Sequence, residues 1–298
     1  MAYKTPDQIA TAAVNAGVAK ANLTPDRMLA GSILAGAYIA FAGLLSVVVT
    51  AGLKPETWGN LPTLFFGAVF ATGLILVVIA GSELVTGNMA LLPLALTSRR
   101  VTAGRAGMSL VIVTIGNLIG SLLVAYFFAV KTGVIGSAHS VAGSPGALTF
   151  AKLSSVATGK AVTETGAEIF LRAIACNWLV CLAVWIALAA EDIGGKILGI
   201  FFPIMAFVAM GFDHVVANMF FLPAAMFAHV PGIGVGDVVH NLVLAFLGNL
   251  IGGAVFVAGF YWFLYLRGRK PETSPEGYEV TPTPSSRSHA GEHAAGPR

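Results

Sequence analysis

Two stretches of this chain, 130 residues apart, carry the same interruption of an apolar run. In the first, uncharged Thr57–Ser82 meets Glu83 and resumes as Leu84–Ser98. In the second, Ile197–Phe212 meets Asp213 and His214 and resumes as Val215–Ala228. The resumed runs are too short to span about 30 Å of hydrocarbon, which takes about 20 helical residues. An acid at such a junction is costly in lipid unless it faces protein or water. Each segment therefore reads as one discontinuous helix, broken near its middle.

The two segments align without gaps: Glu83-Leu-Val-Thr-Gly-Asn-Met-Ala-Leu-Leu-Pro93 lies on Asp213-His-Val-Val-Ala-Asn-Met-Phe-Phe-Leu-Pro223. A second pair, Gly116-Asn-Leu-Ile-Gly120 and Gly248-Asn-Leu-Ile-Gly252, recurs at an offset of 132 residues, so both describe one duplication. Its GxxxG glycines predict close helix packing rather than a pore lining.

Around the breaks, Leu29–Leu53, Ala106–Val130, Ala173–Ala190 and Asn241–Leu266 each read as one span. Apolar residues make up 56% of the 298 and charged residues only 10%, against about 25% charged in a soluble domain. The fold class is thus an all-α integral membrane protein of six transmembrane helices, with broken second and fifth helices. Three spans per half is an odd number, so the second half enters the membrane inverted. Residues 1–28 form an N-terminal segment whose Ile9, Ala13, Val14 and Val18 fall at near-helical spacing, as in a surface-lying amphipathic helix or a soluble cap. Residues 29–270 form the six-span transmembrane domain, and 271–298, rich in Pro, Ser, Gly, Glu and His, read as a disordered tail. No cleavable signal peptide is visible. Lys4, Lys20, Arg27, Arg99, Arg100, Arg105, Lys196, Arg267, Arg269 and Lys270 outnumber Lys54, Lys131, Lys152 and Lys160 on the opposite side. That bias puts both termini in the cytoplasm. Of the histidines away from the breaks, His139, His229, His289 and His293 read as exposed, and His240, at the start of the last span, has no assigned role.

Several functions are disfavoured. No dense basic run suggests nucleic acid as a partner. Cys176 and Cys181 fall on different helical faces and lack a His or carboxylate at ligand spacing, so they read as small packing residues, with no metal or cofactor expected. There is no Gly-rich phosphate loop and no nucleophile–base pair, so neither ATP-driven transport nor an enzyme is indicated. Inverted repeats with broken helices place a solute path between the halves, and the half-helix N-termini direct a positive field into it.

Glu83-Leu-Val-Thr-Gly-Asn, Gly211-Phe-Asp-His-Val-Val-Ala-Asn-Met-Phe and Cys176-Asn-Trp-Leu-Val-Cys-Leu-Ala-Val-Trp185 resemble signature segments of the formate/nitrite transporter family. The resemblance covers nearly the whole chain except its tail. It implies an aquaporin-like protomer with its own pore, a homopentamer, and a bacterial inner-membrane location. The implied substrates are small monovalent anions of weak acids, formate first and nitrite second, with hydrosulfide also in the group. Carried over by position, it makes His214 the central histidine and Thr86 its partner from the second-span loop. It puts an outer constriction at Phe70 and Phe207 with Leu74 one turn below, an inner slit at Leu84, Val85 and Val180, and a vestibule lysine at Lys160. The loop before the fourth span differs by a residue from the family pattern, and many members carry Phe where this chain has Val85. The smaller side chain is expected to widen the slit or alter its gating.

Read from the residues, His214 adjoins an acid at a helix break inside a repeat, which favours a pore role over a structural one. With Thr86 it is expected to hold the anion and offer a route for its protonation, coupling transport to protons. Glu83 and Asp213 read as braces that accept backbone N–H bonds at the breaks, because negative charges would oppose an anion path. Asn88 and Asn218 read as caps or backbone ligands of the second half-helices, and Asn177 as a residue that reaches the pore. Lys160 reads as an attractor of anions into the outer mouth, and Glu168 and Arg172 as an i,i+4 helix pair. The competing function is a neutral-solute channel of the water and glycerol type, although Asn88-Met89 and Asn218-Met219 stand in place of that class's Asn-Pro-Ala.

Overall fold

In the computed structural model, which describes residues 3–268, these residues are mostly helical, and no named strand occurs among them. The helices are α1 (Pro6–Ala21), α2 (Pro25–Thr50), the single turn α3 (Pro55–Trp58), α4 (Leu61–Ala80), α5 (Val85–Thr97) and α6 (Ala103–Leu123). They continue as α7 (Pro145–Thr158), α8 (Gly166–Ala189), α9 (Ile193–Ala209), α10 (Val215–Phe227) and α11 (Val235–Ile251). Past their α-helical ends, α6 runs on as π-helix over Val124–Lys131 and α7 over Gly159–Thr163; α11 runs on through Gly252–Gly259 and Trp262–Leu266. Among the described residues, five helices are long and apolar enough to cross a membrane: Pro25–Thr50, Leu61–Ala80, Ala103–Lys131, Gly166–Ala189 and Val235–Leu266. Helices α9 and α10 are apolar but too short to cross singly. Large apolar side chains such as Val111, Ile115, Phe202, Val243, Phe260 and Phe263 stand exposed on these helices, the expected outer surface of a multi-pass membrane protein.

Both broken segments are broken. Helix α4 ends at Gly81 with φ +79° and α9 gives way at Gly211 with φ +73°, left-handed conformations that a side chain would strain. Four residues after each glycine the chain re-enters a helix, α5 or α10. Helix α6 packs on α2 and α11 on α8 through the GxxxG pairs. A Cβ on Gly120 would strike the Ile33 carbonyl, and one on Gly252 the Ile174 carbonyl. Helices α4 and α9 pack together, joining the halves.

The N-terminal segment forms a helix that docks onto protein. Thr5 and Gln8 form a capping box at the start of α1, and Ile9, Ala10, Ala13, Val14, Gly17 and Ala21 are buried. Gly17 lies against the Leu91 carbonyl of α5, where any Cβ would clash. Helix α7, which the hydropathy pattern does not single out, occupies the corresponding place ahead of the second half. The tail 271–298, Arg269, Lys270, His289 and His293 lie outside the described residues; His139, His229 and His240 are exposed.

Candidate functional site: two cavities and a waist

Each break is held open by an asparagine from the GNLIG motif. Asn117 Oδ1 accepts the Val85 N–H at 2.9 Å while its Nδ2 donates to the Ser32 and Glu83 carbonyls at 2.7 and 2.9 Å. Asn249 repeats the arrangement, taking the Val215 N–H at 2.9 Å and donating to the Ala173 and Asp213 carbonyls, both at 2.8 Å. Both asparagines are fully buried. They do the backbone bracing that the sequence had suggested for Glu83 and Asp213.

The acids accept from side chains instead. Glu83 takes Lys20 Nζ on both oxygens at 2.9 Å and Asn88 Nδ2 at 3.1 Å. Asp213 takes Lys160 Nζ at 2.8 Å and Asn218 Nδ2 at 2.9 Å, all on Oδ1. Asn88 and Asn218 therefore steady carboxylates rather than cap helices, and Asn218 also donates to Asn241 Oδ1 at 2.8 Å. Lys20 is the residue the sequence reading passed over: it stands to Glu83 as Lys160 stands to Asp213.

Two cavities flank the breaks. The one on the α7 side, about 260 Å³, is lined by Phe70, Lys152, Lys160, Glu164, Arg172, Phe207, His214 and Asn218 among others. The one on the α1 side, about 300 Å³, is lined by Lys20, Leu74, Val77, Ser82, Glu83, Leu84, Asn88 and Lys196 among others. Between them lies a waist. Phe70 and Phe207 meet edge-on with ring centroids 6.2 Å apart, and Phe207 lies 5.9 Å from the His214 ring. Phe70, Leu74, Phe207 and Leu84 are all nearly inaccessible from outside. Val85 and Val180, expected with Leu84 at the inner slit, are buried and line neither cavity.

The polar element of the waist comes from both halves. His214 N-caps α10, its Nδ1 accepting the Ala217 N–H at 3.1 Å. Because Nδ1 is an acceptor, Nε2 carries the proton of the neutral ring. Nε2 lies 2.9 Å from Thr86 Oγ1, so the imidazole donates to the threonine. The Thr86 hydroxyl proton remains available for a further acceptor. Asn177 stands behind this pair: its Nδ2 donates to the Thr86 and Asn249 carbonyls at 3.1 and 2.7 Å, and it is fully buried. Cys181 Sγ donates to the Thr86 carbonyl at 3.4 Å, so this cysteine does more than fill space. Both cysteines are free, and no group of three potential metal ligands occurs among the described residues.

Arg172 bonds Glu164 at 2.5 Å rather than Glu168. Glu168 turns back to the Thr165 N–H and hydroxyl at 2.8 and 2.9 Å, closing a capping box at the start of α8.

A multi-pass membrane protein with paired half-helices and two cavities meeting at a narrow waist belongs to the class of pore-forming transporters. A sequence profile described as "Formate/nitrite transporter" matches residues 7–263, and the chain belongs to that family. It is 46% identical over 274 residues to a protein named "Probable formate transporter" from Methanothermobacter thermautotrophicus, covering 89% of this chain and 98% of that one. It is 43% identical over 266 residues to "Formate channel BtFdhC" of Bacillus thuringiensis, covering 89% and 97%. Its fold matches a solved "Pentameric formate channel with formate bound" at a TM-score of 0.69 and 27% identity, over 82% of this chain and 98% of the other.

Proposed function

We propose that this chain is a channel or proton-coupled carrier for small monovalent anions of weak acids, formate first and nitrite second. It works as a homopentamer in the bacterial inner membrane with both termini cytoplasmic. Helices α9 and α10 together make the sixth passage, so the α1-side cavity faces the cytoplasm and the α7-side cavity the outside. The observation that carries the reading is the waist: apolar rings and aliphatic side chains close on a single polar pair, Thr86 and His214. A bare anion in that constriction loses its hydration with too few donors to replace it. An anion that gains a proton there crosses as a small neutral acid. Lys160 on one side and Lys20 on the other raise the local anion concentration at each mouth, and the Thr86 hydroxyl, which receives the His214 Nε2–H, provides a donor where the anion is most dehydrated. Phe70, Phe207, Leu74, Leu84, Val85 and Val180 limit size. Asn177, Glu83, Asp213, Asn88 and Asn218 hold these groups in place.

The relatives named for formate support this substrate class, and the pentameric neighbour supports the assembly. A waist of similar width would also suit hydrosulfide. The test is uptake of labelled formate into proteoliposomes, with and without an inward proton gradient, competed by unlabelled nitrite. Saturable uptake that rises with the gradient and is blocked by nitrite is the expected result. Uptake equal to empty liposomes with raised water permeability would replace this reading with a neutral-solute channel.

A further inference from the structure

The α7-side cavity contains a carboxyl that the anion path does not require. Glu164 follows the π-helical turn Gly159–Thr163 and lines the same cavity as Lys160 and His214. Its side chain is 11% exposed. Oε1 accepts from Arg172, and Oε2 is buried with no partner. Asp213, fully buried, has the same defect: Oδ1 takes Lys160 and Asn218 while Oδ2 has no partner. The two carboxyls lie within hydrogen-bonding reach of each other. Two ionised carboxylates cannot satisfy such a contact, because neither oxygen can donate. One proton between them turns both orphaned oxygens into the two ends of a strong O–H···O⁻ bond.

We propose that Glu164 carries a titratable proton at the α7-side mouth, which it donates to the orphaned Oδ2 of Asp213, and that its occupancy tunes how strongly that mouth attracts the anion. This deepens the anion reading above and rests on it. The charged groups facing the pair are Lys152 from α7, Lys160 from the turn after it and Arg172 from α8, with neutral His214 next to Asp213. The neighbour from α11 is His240, whose ring lies beside Gly166. With both carboxyls ionised, the three cations and two anions leave the mouth at +1; the shared proton makes it +2. Burial of Glu164 is the main force holding the proton. Lys160 and Arg172 oppose it and the Asp213 charge assists, which together push Glu164 up to about 7. The proton exchanges with water in the cavity. At the α1-side mouth both Glu83 oxygens are already satisfied by Lys20 and Asn88, so the proton site belongs to one side alone.

The test pairs infrared difference spectra of the purified protein in lipid nanodiscs with formate uptake, both between about pH 6 and about pH 8. A protonated-carboxyl C=O band should grow at the lower pH in the wild type and vanish in Glu164→Gln, with exposed Glu56→Gln as the control. Glutamine mimics the protonated acid, so its uptake should match wild type at pH 6. At pH 8 the wild type should be about two- to fivefold slower than the variant. That ratio is what one unit charge at about 8 Å exerts in a wet mouth. No such band in the wild type, or a band untouched by the variant, overturns the shared proton. The expected band with a pH-independent ratio of the two uptake rates overturns its control of uptake. No formate uptake by the wild type at any pH would sink the anion reading instead, while the band would still decide whether the proton is shared.

Discussion

Replacing Asn249 by alanine removes three buried hydrogen bonds, one to the Val215 N–H and two to the Ala173 and Asp213 carbonyls, all between 2.8 and 2.9 Å. Side-chain hydrogen bonds inside membrane proteins average about 0.6 kcal/mol, which sets a floor of about 2 kcal/mol. Leaving groups unsatisfied raises the figure, since each orphaned buried donor or acceptor costs about 1–3 kcal/mol. We expect a loss of about 2–4 kcal/mol, seen as a fall of at least about 4 °C in the thermal midpoint of the detergent-purified protein. Asn117→Ala removes the mirror-image bonds to Val85, Ser32 and Glu83 and should lose as much. The two variants should part in transport. Asn249 fixes the residue next to His214, so its loss frees the imidazole from Thr86 and lowers the maximal uptake rate with little change in KM. Asn117 fixes the residue next to Leu84 and should lower uptake less. A midpoint shift below about 1 °C for both, or equal effects on uptake, would refute the reasoning.

Lys160→Met strands the fully buried Asp213 carboxylate and should destabilise by about 3–5 kcal/mol; Lys160→Met with Asp213→Asn should recover most of that stability in the same thermal assay, but not anion uptake. Phe207→Ala opens the edge-on ring contact with Phe70 and should admit larger carboxylates such as lactate, measured by competition against labelled formate. Burial raises the folded-state Glu164 above its ordinary value of 4.5 to about 7. From about pH 4.5 to about pH 7 the unfolded chain releases this proton while the folded chain keeps it, so stability falls as pH rises through that window. The wild-type melting midpoint should therefore decline across it more steeply than that of Glu164→Gln.

The breaks were legible because they need a rare combination, an acid inside an apolar run, and the duplication showed it twice. What escaped notice depended on distance in space. Lys20 and Lys160 hold equivalent acids from 63 and 53 residues upstream, so no gapless alignment brings them into register. The available signal was a polar segment with near-helical apolar spacing before the first half, which is α1. Asn117 and Asn249 were in view, but the flanking glycines of GNLIG explained the motif as packing and hid the asparagine between them. The Glu168–Arg172 pairing followed from helical spacing and failed because a carboxylate in the first turn is drawn to the free backbone N–H groups there. Arg172 was left to Glu164.

The internal repeat also explains why the waist has one polar centre rather than two. Leu84 and His214 are equivalent by sequence, and so are Thr86 and Val216. Both breaks share the left-handed glycine, the asparagine brace and the acid–lysine pair, so the scaffold is symmetric. The side chains at matched positions are not: the first break supplies aliphatic Leu84 and polar Thr86, the second His214 and aliphatic Val216. Only a pairing across the halves, Thr86 with His214 at 2.9 Å, yields a hydrogen-bonded couple. A strictly symmetric waist would carry either two histidines, crowding two helix-capping rings together, or two leucines, with no imidazole to pair with the threonine. Divergence at two matched positions of a duplicated break is therefore sufficient to give a symmetric scaffold one central hydrogen-bonded pair.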